Sequence, residues 1–297
     1  MKNETQMKVG RTLLRESDPL SHHFNHPHMI KRRKVLRETI DVFTRISTPD
    51  YLKHLAMDNL SRWKKERSRE APVSKVQVLQ GDWGDITLEL TKTYGECFAV
   101  LNMANAYVPG GGYVEGMSAQ EENMYRRTDC HFYITEKEYD RSLNRYKPFM
   151  TELISAKNGV VYLDIDNPRI CIRGAEDKTH NTLGYAWLKE DEIFPFYELR
   201  AAAQDLRGKE KFNVDEARRR IVAQLDTLQA NKVRYAVLGA FGCGAFLNPA
   251  ETIATIYKEE IEKRIDDFSL IVFAILDSGG AYAEFYTVFD THSPIPK

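Results

Sequence analysis

The chain has 297 residues, 42% of them hydrophobic, enough to bury the core of one large domain or two small ones. Its 42 basic residues almost balance 43 acidic ones, so there is no global field to hold DNA without sequence preference. No apolar run approaches the roughly eighteen residues that span a bilayer, and the opening MKNETQMKVGRTLLRE lacks the apolar centre of a signal peptide; a cytoplasmic protein with no membrane partner is expected.

Residues 1–28 are polar and read as a tail, with no metal role given to its SHHFNHPH stretch (Ser21 to His28). Residues 29–72 read as a helical extension. Ile30, Val35, Ile40, Phe43 and Ile46 recur at helical spacing, and a second helix is expected where Thr48 caps and Pro49 enters the first turn. The basic runs KRRK and RWKKER read as solvated faces of these helices.

From residue 73 to 297 the texture is that of a separate core. Short apolar runs end in glycine, asparagine or acidic residues: VSKVQVLQGD, CFAVLNMAN, GVVYLDID, RICIRG, VRYAVLGAFG and LIVFAILDSGG. These read as buried strands. Helix-like stretches at Phe196 to Leu206, Asp215 to Ala230 and Pro249 to Ile265 lie between them, which predicts an α/β fold around a largely parallel or mixed sheet. The polar stretch from Gly174 to Pro195 is long for a connection and reads either as a lid or specificity loop or as a tolerated surface insertion. Cys97, Cys130, Cys171 and Cys243 stand singly, without a C-x-x-C pair, and are expected to be reduced thiols.

Two glycine-rich turns each follow a strand: Gly110, Gly111 and Gly112 after FAVLNMANA, and Gly239, Gly242 and Gly244 after RYAVL. Glycines at the carboxyl ends of such strands let backbone N–H groups approach phosphate oxygens, so the pair suggests a diphosphate clamp. Either turn alone would more simply serve tight packing. The helix expected near Pro249 would aim its positive end at the second turn. A P-loop pattern is absent, and Leu247 stands where a dinucleotide fingerprint needs its last glycine. Seven residues beyond the glycine triplet come Gln120, Glu121 and Glu122. As neighbours, the two glutamates are expected to project in different directions, one serving as acid/base and the other holding a hydroxyl. Cys243 reads as a small residue in a tight loop, and the adjacent Cys130 and His131 make a poor dyad.

NMANAYVPGGG followed by QEE, together with LGAFGCGAFLNP, resembles the signature of the microbial-type poly(ADP-ribose) glycohydrolases, catalytic members of the macrodomain superfamily. KRRKVLRETIDVF is similar to that family's leading helix, and LRAAAQDLRG to a segment that usually reads nearer AAPN. The resemblance implies a three-layer α/β/α macrodomain with a mixed central sheet that binds ADP-ribose. It implies that Glu122 is catalytic, that Glu121 holds a neighbouring hydroxyl and that Gln120, which completes the triplet, binds substrate. Asn105 would contact the distal ribose, while Gly110 to Gly112 and Gly242, Cys243, Gly244, Ala245 and Phe246 would embrace the diphosphate, Phe246 packing on that ribose. Asp82 and Asp85 compete to read adenine, with Asp85 favoured.

The implied reaction is hydrolysis at the distal ribose of poly(ADP-ribose) or mono-ADP-ribosylated protein, through an oxocarbenium-like state in which one carboxyl group acts first as acid and then as base. No metal or cofactor is required, and a monomer is expected. The alternative is a non-catalytic ADP-ribose reader. Glu176, Asp177, Glu190, Asp191 and Glu192 in the long loop would repel a polyphosphate and favour a cationic leaving group, which points to arginine-linked substrates.

Overall fold

The computed structural model describes residues 26–45, 47–67, 72, 74–276 and 279–290, so all but the end of the expected tail lies outside the described residues. Two helices, α1 (Pro27–Thr44) and α2 (Thr48–Glu66), lead into β1 (Val76–Gln80), α3 (Trp83–Tyr94), β2 (Ala99–Met103) and α4 (Gln120–Arg127). A small hairpin, β3 (Tyr139–Asp140) and β4 (Arg145–Tyr146), and a short α5 (Pro148–Ile154) come next. The chain then runs through β5 (Tyr162–Cys171), β6 (Phe194–Ala201), α6 (Val214–Ala230), β7 (Tyr235–Leu238), α7 (Ala250–Glu262), β8 (Leu270–Ile275) and α8 (Ala281–Phe289).

Side-chain alternation along the strands sets the layers. Ala99, Leu101, Ala236, Leu238, Ile271 and Phe273 enter one core, while their neighbours Val100, Val237, Leu270 and Val272 enter a second. A sheet that is apolar on both faces must be covered on both. Ile221 and Leu225 of α6, Ile253 and Tyr257 of α7 and Phe285 of α8 cover the first face. The second is covered by Leu36 and Ile40 of α1, Trp63 of α2, Leu88 of α3 and Met124 and Tyr125 of α4. The sheet order is β1-β8-β7-β2-β6-β5, parallel throughout except for the antiparallel β5–β6 pair. This is the three-layer α/β/α arrangement with a mixed sheet expected from the resemblance. Among the described residues, no helix is long and apolar enough to cross a membrane.

Several local expectations need correction. The helix-like stretch from Phe196 is the strand β6 and the loop after it. Phe194 and Phe196 enter the second core and Leu199 and Ala201 the first, but Glu198 and Arg200 are also fully buried, and two charges in a buried strand disguise its period. GVVYLDID and RICIRG belong to one strand, β5, whose register shifts between Asp164 and Arg169. Ser47, with a left-handed φ of 66°, occupies the N-cap of α2 in place of Thr48. KRRK is not wholly solvated: Arg32 and Arg33 are buried, and Arg32 pairs with Glu176 at 2.7 Å.

The charges inside β5 and β6 form a closed cluster. Glu198 receives Arg200 Nε at 3.0 Å, Arg200 Nη2 at 2.9 Å, Arg169 Nε at 3.1 Å and Asn102 Nδ2 at 2.8 Å. Burial opposes its ionisation, but the two guanidiniums outweigh burial and pull the carboxyl down to about 2. Removing the anion would strand Arg200 and leave Arg169 with the Asp164 ion pair alone. Glu198→Gln is therefore expected to cost about 3–5 kcal/mol of stability in urea unfolding. A loss under about 1 kcal/mol, the range of an exposed pair, would show that the cluster is not held by its charges.

Candidate active site

Both glycine turns lie at the carboxyl ends of parallel strands, the first after β2 and the second after β7, where open α/β sheets bind ligands. Gln120 anchors α4 there. Its Nε2 donates to Leu101 O at 2.8 Å, and its Oε1 accepts from Met103 N at 3.0 Å. Expected to bind substrate, this side chain is instead spent at both ends on the backbone of β2, which fixes the first turn of the helix.

The two glutamates that follow do not diverge as expected. Glu121 Oε2 accepts from Asn105 N at 2.7 Å and its Oε1 from Gly110 N at 3.0 Å, while Glu122 Oε1 accepts from Gly112 N at 3.0 Å. They converge because the glycine turn folds over the helix and meets both. Gly111 lies between them at φ +56°, and a Cβ there would fall 2.5 Å from Glu122 Oε1 and 3.1 Å from Glu121 Oε2. This position needs glycine both for its backbone angle and for its space.

The same bonds revise the role of the first turn. The N–H groups of Gly110 and Gly112 point at carboxylates and that of Gly111 at Val108 O, so this turn orients the glutamates and is not an open diphosphate cradle. The second turn differs. Gly242, at φ +76°, is locked by Asn248, whose N and Nδ2 both donate to its carbonyl. Gly244 and Ala245 are exposed, and the N–H groups of Gly244, Ala245 and Phe246 donate to no acceptor among the described residues. α7 begins just beyond, at Ala250. Of the two turns, this one presents donors suited to phosphate oxygens. Burial pushes the Cys243 thiol up to about 12, in keeping with a packing role.

Glu121 and Glu122 have unlike surroundings. Glu121 is 3% exposed, and burial first and the neighbouring Glu122 second raise its pKa well above the usual carboxylate range, against the pull of Arg200 and of its two N–H donors. In Glu122, also buried, Oε1 is held by Gly112 while Oε2 has no hydrogen-bond partner among the described residues. Asn105 Oδ1 accepts from Tyr107 N and Val108 N, which leaves its amide nitrogen as the group to meet a ligand.

Asp82 and Asp85 are separated by their duties. Asp82 is buried, caps α3 by accepting from Gly84 N and Asp85 N, and pairs with Arg127 Nη1 at 2.6 Å. The side chain of Asp85 is 57% exposed and meets Arg127 Nη2 at 3.2 Å, so it remains the freer acceptor. Arg127, missed in the sequence, ties this corner to the glutamate helix: it also donates to Asn123 Oδ1 at 3.0 Å and to Arg173 O. Its only sequence signal is an arginine with no acidic residue three or four positions away on a short helix. The Gly174 to Pro195 stretch is a docked loop with buried Leu183 and Tyr185. Two of its acidic side chains pair with cations, Glu176 with Arg32 and Glu192 with Lys92, while Asp177 accepts from Thr179 and Glu190 from the Tyr51 hydroxyl. A cavity of about 340 Å³ lined by Lys64, Glu96, Cys97, Tyr197 and Arg234 opens near the opposite ends of β2 and β7, away from both turns.

Fold and site together define a macrodomain-like α/β/α protein with a paired-glutamate turn. Residues 29–162 match the family model of the microbial-type PARG catalytic domain. The match contains Asp82, Asp85, Asn105, the glycine triplet and both glutamates; the second turn lies beyond it. The structure is similar to poly(ADP-ribose) glycohydrolase from Thermomonospora curvata, with TM-score 0.61 and 21% identity over 87% of this chain and 99% of that one. The same enzyme bound to the inhibitor ADP-HPD gives the same values. The enzyme from Deinococcus radiodurans in complex with ADP-ribose follows at TM-score 0.55 and 19% identity, over 81% of this chain and 93% of that one. Comparison with curated proteins finds no match.

The raised pKa of Glu121 has a measurable sign. A carboxyl that binds its proton more tightly when folded contributes stability that is fully present below the unfolded value and lost as pH rises through the folded one. Glu121→Gln abolishes that titration. The stability difference between variant and native protein should shift in the variant's favour as pH rises above about 5, by at most about 1.4 kcal/mol per pH unit. A difference independent of pH in this range would contradict the raised value.

Proposed function

We propose that the chain is an ADP-ribosyl glycohydrolase that cleaves the bond at the anomeric carbon of the distal ribose in poly(ADP-ribose) or mono-ADP-ribosylated protein. One observation carries this reading: Glu122 is buried, one of its oxygens is fixed by Gly112 N–H, and the other has no partner among the described residues. A carboxyl group held that way is oriented without being satisfied, as an acid/base requires. The match to the catalytic domain over residues 29–162 supports the same conclusion.

In this mechanism the second turn receives the diphosphate through Gly244, Ala245 and Phe246 N–H, Phe246 packs against the distal ribose and Asn105 donates to a ribose hydroxyl. Asp85 accepts from the adenine amino group. Neutral Glu122 gives its proton to the leaving oxygen as the glycosidic bond breaks, and charge builds on the ribose ring. The carboxylate so formed takes a proton from the attacking water. Glu121, held by Asn105 N and Gly110 N, positions the neighbouring hydroxyl. Asp177 and Glu190 in the acidic loop meet only neutral donors, which keeps arginine-linked protein among the substrates proposed.

Glu122→Gln should keep the fold and the affinity for ADP-ribose while lowering turnover on the order of a hundredfold to ten-thousandfold. Product analysis with polymer and with serine-, acidic-residue- and arginine-linked proteins checks this. Turnover near that of the native chain would remove Glu122 from the mechanism, and ADP-ribose binding without release from any substrate would make the protein a reader.

A further inference from the structure

The segment after β6, where the sequence departs from the AAPN pattern, is fastened to the second turn. Asn248 Nδ2 donates to Gln204 O at 2.7 Å and Leu206 N to Phe246 O at 3.1 Å. These bonds place the guanidinium of Arg207 over the Phe246 ring, 4.9 Å from its centroid, and within electrostatic reach of the Glu122 carboxyl group. Resting on the hydrolase reading above, we propose that Arg207 is a specificity-determining residue that grips a phosphate of the leaving group, and so selects substrates in which that group is a further ADP-ribose unit.

The hydrogen bonds of Arg207 leave it ready for this. Asp205 takes Nε at 2.8 Å and Nη2 at 2.5 Å, which fixes the plane of the fork and leaves the Nη1 edge for a second acceptor. Both side chains are about half exposed, so their mutual attraction is too weak to withdraw the cation from a ligand. Position decides which phosphate is met. The diphosphate of the bound unit belongs to the Gly244–Phe246 amides and its ribose to the ring of Phe246. A cation on that ring, within electrostatic reach of Glu122, lies at the anomeric end where the leaving group departs. In the polymer the leaving oxygen belongs to a ribose that carries its own diphosphate; on a modified amino acid it does not. A planar fork suits a phosphate better than a point charge would.

Calorimetry tests this on the full chain carrying Glu122→Gln, with ADP-ribose and with a dimer of two ADP-ribose units as ligands. Arg207→Gln should weaken dimer binding about tenfold to a hundredfold and leave ADP-ribose affinity within about twofold, as expected for loss of one charge-assisted contact to the second unit. Arg207→Lys should retain part of the difference, and added salt should shrink it. Equal weakening of both ligands would place Arg207 on the diphosphate of the bound unit and overturn the proposal, as would no change in either. This series does not depend on turnover: a native chain that binds both ligands but releases nothing would refute the hydrolase reading and leave the assignment of Arg207 standing on its own result.

Discussion

Three backbone N–H groups, those of Asn105, Gly110 and Gly112, hold two adjacent buried carboxyl groups, and the rest of the site is arranged to permit it. Side by side in a poorly solvated place, two carboxylates would repel each other and lose hydration. The fold answers in three ways. The amide donors face them, the first turn of α4 adds the positive end of a helix, and the charge of Arg200 acts on Glu121. What remains raises the pKa of Glu121. The pair thus divides into a group whose two oxygens are both held by N–H donors and one, Glu122, with an oxygen still to be satisfied.

The support for this arrangement reaches well beyond the turn. Arg200 is fixed by Glu198, which also holds Arg169 and Asn102, so the charge that acts on Glu121 belongs to a cluster that spans β2, β5 and β6. At the other end of α4, Arg127 locks the helix to Asp82 and Asp85, and Arg126 reaches Tyr185 in the docked loop and Met117 O beside the glycine turn. Arg32 of α1 donates to Gly116 O and pairs with Glu176. The leading helix and the long loop thereby brace the glutamate turn from behind. These arginines give the helix that carries Glu121 and Glu122 one orientation through directional, buried contacts.

Much of this was legible in the sequence, though unevenly. Strands apolar on both faces announced a covered sheet, and the spacing of Gly110–Gly112 from Glu121 and Glu122 located the site. The strand β6 was hidden because Glu198 and Arg200 occupy inward positions that a periodicity argument assigns to apolar residues. The convergence of the glutamates was hidden too, since local geometry separates adjacent side chains and only the return of the glycine turn over α4 brings both to one place. The contacts of the 174–195 loop were hidden for a related reason: the partners of Glu176, Glu190 and Glu192 are Arg32, Tyr51 and Lys92, each distant in the chain. Of the two glycine turns, composition could not tell which offers its N–H groups to a ligand and which offers them to its own carboxylates.

The claim on which the account turns is that the unpartnered oxygen of Glu122 faces the bond to be cleaved. A crystal structure of the Glu122→Gln variant with a two-unit ADP-ribose dimer tests it directly. The account predicts the glycosidic oxygen within hydrogen-bond reach of the side chain at position 122, about 2.6–3.2 Å, with the diphosphate of the cleaved unit on the Gly244–Phe246 amides. A dimer bound with its anomeric carbon beyond reach of position 122, or with its diphosphate on the Gly110–Gly112 turn, would contradict it.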